Sequence, residues 1–257
     1  MAREATLAAL RASIQQLAPA QANALAITPV SSGISNLDQS FVLGGLPAGR
    51  VSEIAGPLSS GKTGLGLRLL AEQTRLGKWV AVVDGTKQFY PPAAAAIGID
   101  LCRMLLIAPG AKRAHTHSDD RAAALARAAE IIVRSRAFSM VLIDLPPHCK
   151  MQRTPARRLC VAAQATGTTI IALTSLSGDV EGCAARIEVS PCQVLGTESS
   201  GIRARRTQVR IAKGHIKGER GHTQSIEFTC KTHRFDSNPP RAVAPILHRA
   251  ACGEEAL

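Results

Sequence analysis

The chain has 257 residues, a formal net charge of +12 and a hydrophobic fraction of 46%. This length fits one α/β domain with extensions or at most two small domains, and the hydrophobic fraction excludes a chain that is disordered throughout. The excess of Lys and Arg predicts attraction to a polyanion or to an acidic partner protein. Aromatic residues make up only 3% of the chain, too few for a protein that stacks nucleic-acid bases on Phe and Tyr.

The cysteine count and the apolar runs indicate the compartment. Seven cysteines are an odd number, and no C-x-x-C pair occurs, so we expect neither a zinc site nor a disulfide framework. No apolar run reaches the roughly 18 residues that span a bilayer, and polar residues interrupt the N-terminal apolar stretch, as a signal peptide would not allow. We therefore expect a cytoplasmic protein without membrane contact.

The first part of the chain predicts an arm. Residues 4–17 repeat apolar positions at helical spacing, which indicates a short amphipathic helix. An Ala-, Pro- and Ser-rich stretch follows and predicts an extended linker. The helix either packs on its own domain or docks on a partner. We divide the chain into an arm (1–29), a core domain (30–235) and a mobile tail (236–257).

Apolar strands alternate with helices through the core. This pattern predicts a parallel sheet with helices on both faces, and it places Trp79 in the core. The predicted strands are 51–55, 79–84, 104–109, 140–144 and 168–174, and the predicted helices are 63–75, 119–134 and 155–164. After residue 184, three strand-like segments separated by polar turns predict an added edge, which we expect to be antiparallel.

Residues 56–63, GPLSSGKT, fit the phosphate-binding pattern G-x-x-x-x-G-K-[ST] between a strand and a helix. In such a loop the backbone N–H groups face the phosphates, the lysine reaches the terminal phosphates and the last hydroxyl ligates Mg²⁺. The predicted nucleotide-binding residues of the loop are Gly56, Pro57, Leu58, Ser59, Ser60, Gly61, Lys62 and Thr63.

A second requirement is an acid that holds the magnesium shell. Asp144 ends the apolar segment MVLID, which is where a strand beside the P-loop strand would deliver a carboxylate. Thr63 and Asp144 are therefore the predicted metal ligands. The expected cofactors are ATP or ADP with Mg²⁺.

The segment from Gly44 to Gly85, with VSSGISNLDQSF (30–41) before it, is similar in order and spacing to the core of the RecA recombinases. Within that group, FYPPAAAAIGIDLCRMLLI (89–107) and ARRLCVAAQATGTTIIALT (156–174) resemble the ImuA family of accessory proteins in damage-induced mutagenesis. The resemblance implies an α/β RecA-like P-loop core with a mostly parallel central sheet, antiparallel edge strands and an N-terminal helical arm.

The same resemblance shows which catalytic parts are missing. RecA has a water-activating glutamate just after the second core strand, and the matching position here is Thr86. The phosphate-sensing amide of RecA is replaced by Thr174 and Ser175, and the DNA-binding loop that follows is shortened. We assign no catalytic residue and expect weak or absent ATP hydrolysis and no strand exchange. Tyr90 either stacks on the adenine or is a rim residue.

Two basic segments are candidate interfaces. The first spans residues 203–220 and is predicted to be a β-hairpin that binds a DNA backbone, contacts a neighbouring subunit or is simply solvated. The second follows Asp144 and carries Lys150, Arg153, Arg157 and Arg158, with phosphate contact and solvation as equal alternatives. The residues of the first segment are Arg203, Arg205, Arg206, Arg210, Lys213, His215, Lys217 and Arg220.

The resemblance implies an accessory protein of the SOS response and translesion synthesis, acting near the nucleoid. Its expected partners are a RecA-type recombinase, translesion polymerase subunits, the DNA backbone or further copies of itself. One alternative is an active DNA-dependent ATPase of the RecA class, since the P-loop is intact. Another is an unrelated P-loop kinase, although no segment resembles a lid over an acceptor substrate.

Overall fold

The computed structural model describes residues 29–109, 118–175, 178–191, 193–197, 201–214 and 223–229. The predicted helical arm and the predicted tail lie outside these residues, so the division into arm, core and tail stays a prediction. Within the described ranges the predicted α/β fold with a mostly parallel central sheet is confirmed.

Six parallel strands form the centre of the sheet, and they are β3 (Val51–Ala55), β4 (Val80–Asp84), β5 (Met104–Ile107), β6 (Met140–Asp144), β7 (Thr169–Thr174) and β8 (Ala185–Val189). Their spatial order is β8-β3-β7-β6-β4-β5. The near-continuous apolar sequences of β4, β6 and β7 suit strands that are covered on both faces. Because all six run in one direction, the loops after β3, β4, β6 and β7 meet at one edge of the sheet.

Antiparallel strands extend the sheet beyond β8. The long strand β10 (Gly201–Lys213) pairs with β8, with β9 (Gln193–Thr197) and with β11 (Thr223–Thr229). The predicted antiparallel edge therefore begins one strand later than expected, because β8 itself runs parallel to β3. A separate two-stranded sheet joins β1 (Pro29–Val30) to β2 (Leu46–Pro47).

Helices cover the two faces of the sheet and divide the core into two clusters. One face packs against α1 (Ser35–Ser40), α2 (Lys62–Arg75) and α3 (Pro91–Ile97), and a 3₁₀ turn follows at Leu101–Arg103. The other face packs against α4 (Ser118–Arg134) and α5 (Arg153–Thr166). In the described part of the chain, no helix is both long and apolar enough to cross a bilayer.

Trp79 is not a core residue, contrary to the prediction. Its side chain is 49% exposed, whereas Val80 is fully buried. The strand begins at Val80, so Trp79 lies one residue before it, at the edge of the sheet. The apolar run WVAVVD therefore extends one position beyond the covered strand.

Candidate nucleotide site

The loop between β3 and α2 adopts a tight backbone path at the carboxyl edge of the sheet. Gly61 precedes α2 in a left-handed conformation with φ of 93°, and Ser59 also has a positive φ of 61°. A Cβ atom at Gly56 would lie 2.6 Å from both the Ser60 Oγ and the Val189 O. Only glycine fits at position 56, because both neighbours belong to a closely packed loop and strand. These turns aim the start of α2 at the space above the loop.

Lys62 lies at the first turn of α2 and points back over the loop. Its Nζ donates a hydrogen bond of 2.7 Å to the Gly56 O, and the residue is only 9% exposed. Burial lowers the pKa of the Lys62 amine, and the negative charge of Asp144 partly offsets this effect. An anionic phosphate would favour the charged amine in the same way as Asp144 does.

Asp144 ends β6 and faces a cavity of about 210 Å³ that Thr63 also lines. Burial raises the pKa of the Asp144 carboxyl, and the nearby charge of Asp84 raises it further. The hydroxyl of Thr86 and the charge of Lys62 act in the opposite direction but do not outweigh burial. In the absence of a cation, the site therefore makes ionisation of this carboxyl costly.

Thr86 lies directly between two carboxylates. Its Oγ1 is 2.9 Å from the Asp84 Oδ1 and 2.9 Å from the Asp144 Oδ2. A threonine hydroxyl has one hydrogen and donates to only one of these oxygens at a time. The second contact is favourable only if that carboxyl carries a proton or a cation balances the pair. The raised pKa of Asp144 agrees with this requirement.

The Asp84 carboxylate is hydrogen-bonded to the backbone of the loop that follows β4. It accepts hydrogen bonds from the backbone N–H groups of Thr86 at 3.0 Å, Lys87 at 2.7 Å and Phe89 at 2.9 Å. These hydrogen bonds tie the Asp84 carboxylate to the loop backbone at three positions. The role of Asp84 is to shape the loop that presents Thr86.

The end of β7 is hydrogen-bonded to the P-loop and to β3, since the Thr174 O accepts a hydrogen bond of 3.1 Å from the Gly56 N–H. The Thr174 Oγ1 donates a hydrogen bond of 3.0 Å to Glu53 Oε1, on the neighbouring strand β3.

Tyr90 is 61% exposed and lines the same cavity as Asp144, together with Phe89 and Ala93. This position is compatible with both alternatives for Tyr90, a base-stacking residue and a rim residue.

Glu53 is a buried carboxylate that the sequence reasoning did not assign a role. It is fully buried in β3 and forms a 2.5 Å ion pair with the Arg186 Nε from β8. Its Oε1 also accepts hydrogen bonds from the N–H groups of Gly178 at 3.2 Å and Asp179 at 3.1 Å. The signal was present in the sequence, because a lone glutamate in an apolar parallel strand needs a buried partner.

Thr207 of β10 touches the P-loop directly. Its Oγ1 lies 2.9 Å from the Ser60 O and 2.7 Å from the Ser190 O, and its single hydrogen is available to either carbonyl. The residue is 1% exposed. The strand that carries the basic segment is thus anchored to the loop that would hold phosphate.

The basic segment is distributed along β10 and beyond it. Arg206, Arg210 and Lys213 are exposed on the strand, and the Arg210 Nε donates a hydrogen bond of 2.8 Å to Glu188 on β8. Arg210 is therefore paired within the sheet. Arg203 and Arg205 lie on β10, but their side chains are outside the described residues, and so are His215, Lys217 and Arg220 in full.

The residues present fit a Mg²⁺-bound nucleotide. The Thr63 hydroxyl and the Asp144 carboxylate line one cavity, and oxygen ligands of this kind are the ones that Mg²⁺ prefers. The loop leaves room only for a glycine at position 56. Gly61 provides no side-chain cap for α2, and the Lys62 N–H donates a long hydrogen bond of 3.4 Å to the Ser60 Oγ, so an anion would meet the positive end of the helix beside that hydroxyl. Lys62 would contact the phosphates, and a bound Mg²⁺ would neutralise their charge.

The fold and the site together define an α/β protein of the P-loop class. The RecA N-terminal domain family matches residues 9–150, which is more than half of the 257 residues. The chain belongs to the RecA N-terminal domain family. Family membership and the intact loop make it a RecA-like nucleotide-binding protein.

Three curated relatives illustrate the similarity. Protein RecA of Chlorobium chlorochromatii is 38% identical over 120 residues, which are 47% of this chain and 31% of that protein. Protein RecA of Haemophilus ducreyi is 35% identical over 134 residues, 52% of this chain and 33% of the relative. Protein RecA of Clostridium acetobutylicum is 35% identical over 120 residues, 47% of this chain and 32% of the relative. The matches span about a third of the length of these relatives.

Proposed function

We propose that the protein binds ATP or ADP with Mg²⁺ at this site and hydrolyses the nucleotide slowly or not at all. The observation that supports slow hydrolysis is the position of Thr86, whose hydroxyl lies between Asp84 and Asp144. In RecA-like enzymes the matching position holds the acid that activates water. A threonine hydroxyl is not a base at neutral pH, and Asp84 is engaged by the loop after β4.

We further propose that the bound nucleotide serves an accessory role in DNA damage tolerance, of the ImuA type, rather than recombination. The resemblance of residues 89–107 and 156–174 to that family supports this role. The net charge of +12 supports contact with the DNA backbone or with an acidic partner. The partners proposed are a RecA-type recombinase and translesion polymerase subunits. Self-association through the arm, the core and β10 is consistent with membership of the RecA family.

The alternative is an active DNA-dependent ATPase of the RecA class. The specific observation in its favour is the intact loop, in which the Lys62 Nζ donates a hydrogen bond back to the Gly56 O and Thr63 lines the same cavity as Asp144. The two functions differ in hydrolysis and not in nucleotide affinity. They are therefore separated by measuring both properties on the same samples.

The test is equilibrium binding of a fluorescent ATP analogue together with phosphate release, with and without single-stranded DNA. We expect the wild type to bind and to release phosphate slowly, and Lys62→Ala to lose binding. Thr86→Glu places a carboxylate at the water-orienting position and should raise the rate by about 10²-fold or more.

Thr86→Val is the matched control, because it keeps the shape of the side chain and removes the hydroxyl. It should bind the analogue and stay as slow as the wild type. A fast, DNA-stimulated wild-type rate that disappears in Lys62→Ala would instead establish the ATPase alternative.

A further inference from the structure

A groove lies between the exposed faces of α4 and α5, on the opposite side of the sheet from α2. Its volume is about 360 Å³, within the roughly 300–1,000 Å³ range of ligand-binding clefts. Four of its six lining residues are arginines, and the other two are Thr154 and Val161. The arginines are Arg134, Arg153, Arg157 and Arg158. We call it the arginine groove.

The buried carboxylate of Glu130 pairs with two of these arginines. The Glu130 side chain is only 7% exposed, and its two oxygens pair with the Arg134 Nη2 at 2.8 Å and the Arg158 Nη2 at 2.9 Å. The two arginines come from different helices, so Glu130 bridges α4 and α5. Their side chains remain 62% and 58% exposed. A guanidinium carries five N–H donors, so each retains donors that face the groove.

The other two arginines leave the groove with surplus positive charge. The Arg153 side chain is 88% exposed, and its Nε is 3.7 Å from the Glu181 Oε2, a contact too long and too exposed to hold it. Arg157 is exposed and makes no ion pair within the described part of the chain. A ligand that supplies several oxygen anions would satisfy these groups, since arginine pairs bidentately with carboxylates and phosphates.

One apolar side chain lines the same groove. Val161 is 56% exposed and belongs to the lining of the groove. An exposed aliphatic residue among four arginines makes this a mixed surface. Such a surface suits a ligand that combines negative charge with apolar side chains.

We propose that the arginine groove binds an acidic segment of a partner protein, with at least two carboxylates and an aliphatic side chain. The carboxylates would pair with Arg153 and Arg157, and the aliphatic group would cover Val161. A nucleic-acid backbone fits less well. It would satisfy the arginines but leave the aliphatic residue in water, and the lining residues include no aromatic ring for base stacking. This inference does not depend on whether the nucleotide site hydrolyses ATP.

The probe is a fluorescein-labelled twelve-residue peptide made of two repeats of Glu-Leu-Glu-Glu-Ile-Asp. Its binding to the full chain is measured by fluorescence anisotropy. The titration is run at about 150 mM salt, where long-range attraction to the net charge is screened. We expect Arg157→Glu to weaken binding about tenfold or more and Val161→Asn to weaken it several-fold. Lys78→Glu makes the same change of charge at an exposed site before β4 and should stay within about twofold of the wild type.

Further probes separate this proposal from other modes of binding. A peptide with Gln and Asn in place of Glu and Asp should bind about tenfold more weakly. Equal affinity of the two peptides would overturn the proposal. So would peptide binding that Arg157→Glu leaves unchanged, given an unaltered melting temperature for that variant. If Arg157→Glu abolishes binding of a labelled oligothymidylate but not of the acidic peptide, the groove is a nucleic-acid site and the proposal fails.

Discussion

One side chain of the candidate site, Thr86, lies between the carboxylates of Asp84 and Asp144. Asp84 is saturated by backbone donors, Asp144 is costly to ionise, and Thr86 bridges them with a single hydrogen. On the function proposed above, the site holds a phosphate and a cation but lacks a residue that activates water.

The raised pKa of Asp144 predicts an effect of pH on the nucleotide-free protein. The folded state keeps this proton at pH values where the unfolded chain has already released it. Stability therefore falls as pH rises from the unfolded pKa through the raised folded pKa, and the loss is complete above it. Asp144→Asn removes this cost. We expect it to raise the melting temperature at neutral pH by on the order of a few degrees.

The comparison is made by thermal unfolding over a range of pH without Mg²⁺ or nucleotide. The advantage of Asp144→Asn over the wild type should shrink as pH falls. With Mg²⁺ and ATP added, only the wild type should gain stability, because the variant has lost a ligand of the cation. A variant that melts below the wild type at neutral pH without ligand would contradict this account of Asp144.

Single residues were predicted from the sequence where their signal is local. The P-loop residues lie within eight consecutive positions, and Asp144 ends an apolar segment, so their placement at the edge of the sheet follows from strand direction. Glu53 and Thr207 carry no such local pattern. Their partners are distant in the chain, since Glu53 pairs with Arg186 and Thr207 contacts Ser60.

At the level of elements, Glu53 connects the P-loop strand to both of its neighbours. It accepts hydrogen bonds from Thr174 at the end of β7 and from the Gly178–Asp179 backbone, and it pairs with Arg186 on β8. The short segment after β7 is thereby attached to the sheet.

Loss of the Glu53 carboxylate should destabilise the protein strongly. Glu53→Ala leaves the largely covered Arg186 guanidinium and several backbone N–H groups without their partner, at a cost of about 3–5 kcal/mol. Chemical denaturation measures this change. The matched control is Glu188→Ala, which removes the more exposed partner of Arg210 and should cost about 0–1 kcal/mol. Similar losses for the two variants would refute a special role for Glu53.

The parallel strands and the three long helices were predicted, because apolar strands and helix periodicity are strong signals in a parallel α/β fold. The short helices α1 and α3 were not predicted, because six or seven residues are too few to show a periodic pattern. Other errors lie at the edge of a strand and at the edge of the parallel sheet. Trp79 falls one residue outside β4, and β8 runs parallel although its alternating pattern resembles that of an antiparallel strand. Strand direction at the end of a sheet depends on the connecting chain and the neighbouring strand, and neither is encoded in the five residues of ARIEV.

At the level of the whole molecule, candidate binding surfaces lie on different parts of the core. The nucleotide site is at the carboxyl edge of the sheet, the arginine groove is on the α4–α5 face, and β10 is in the antiparallel extension. The family match begins at residue 9, inside the predicted arm. An accessory protein that joins several partners would use such separate surfaces.

Deletion of residues 1–28 tests the predicted division of the chain. We expect the shortened protein to keep the nucleotide affinity of the full chain and a melting temperature within about 2–4 °C of it. We expect its capture by an immobilised RecA-type recombinase to fall several-fold, because the arm is proposed to dock on a neighbour. Undiminished capture would exclude the arm as the contact, and a collapse of the melting temperature would show that it belongs to the core.

The contact between Thr207 and Ser60 has a thermodynamic consequence. The Thr207 hydroxyl connects β10 to the phosphate loop at Ser60. A macromolecule that shifts β10 would therefore also shift the loop. Linkage is reciprocal, so a nucleotide that alters the affinity of that macromolecule is itself bound more or less tightly by the same factor. A nucleotide that is not cleaved would exert this effect until it dissociates. Its dissociation rate would then differ between the free protein and the complex.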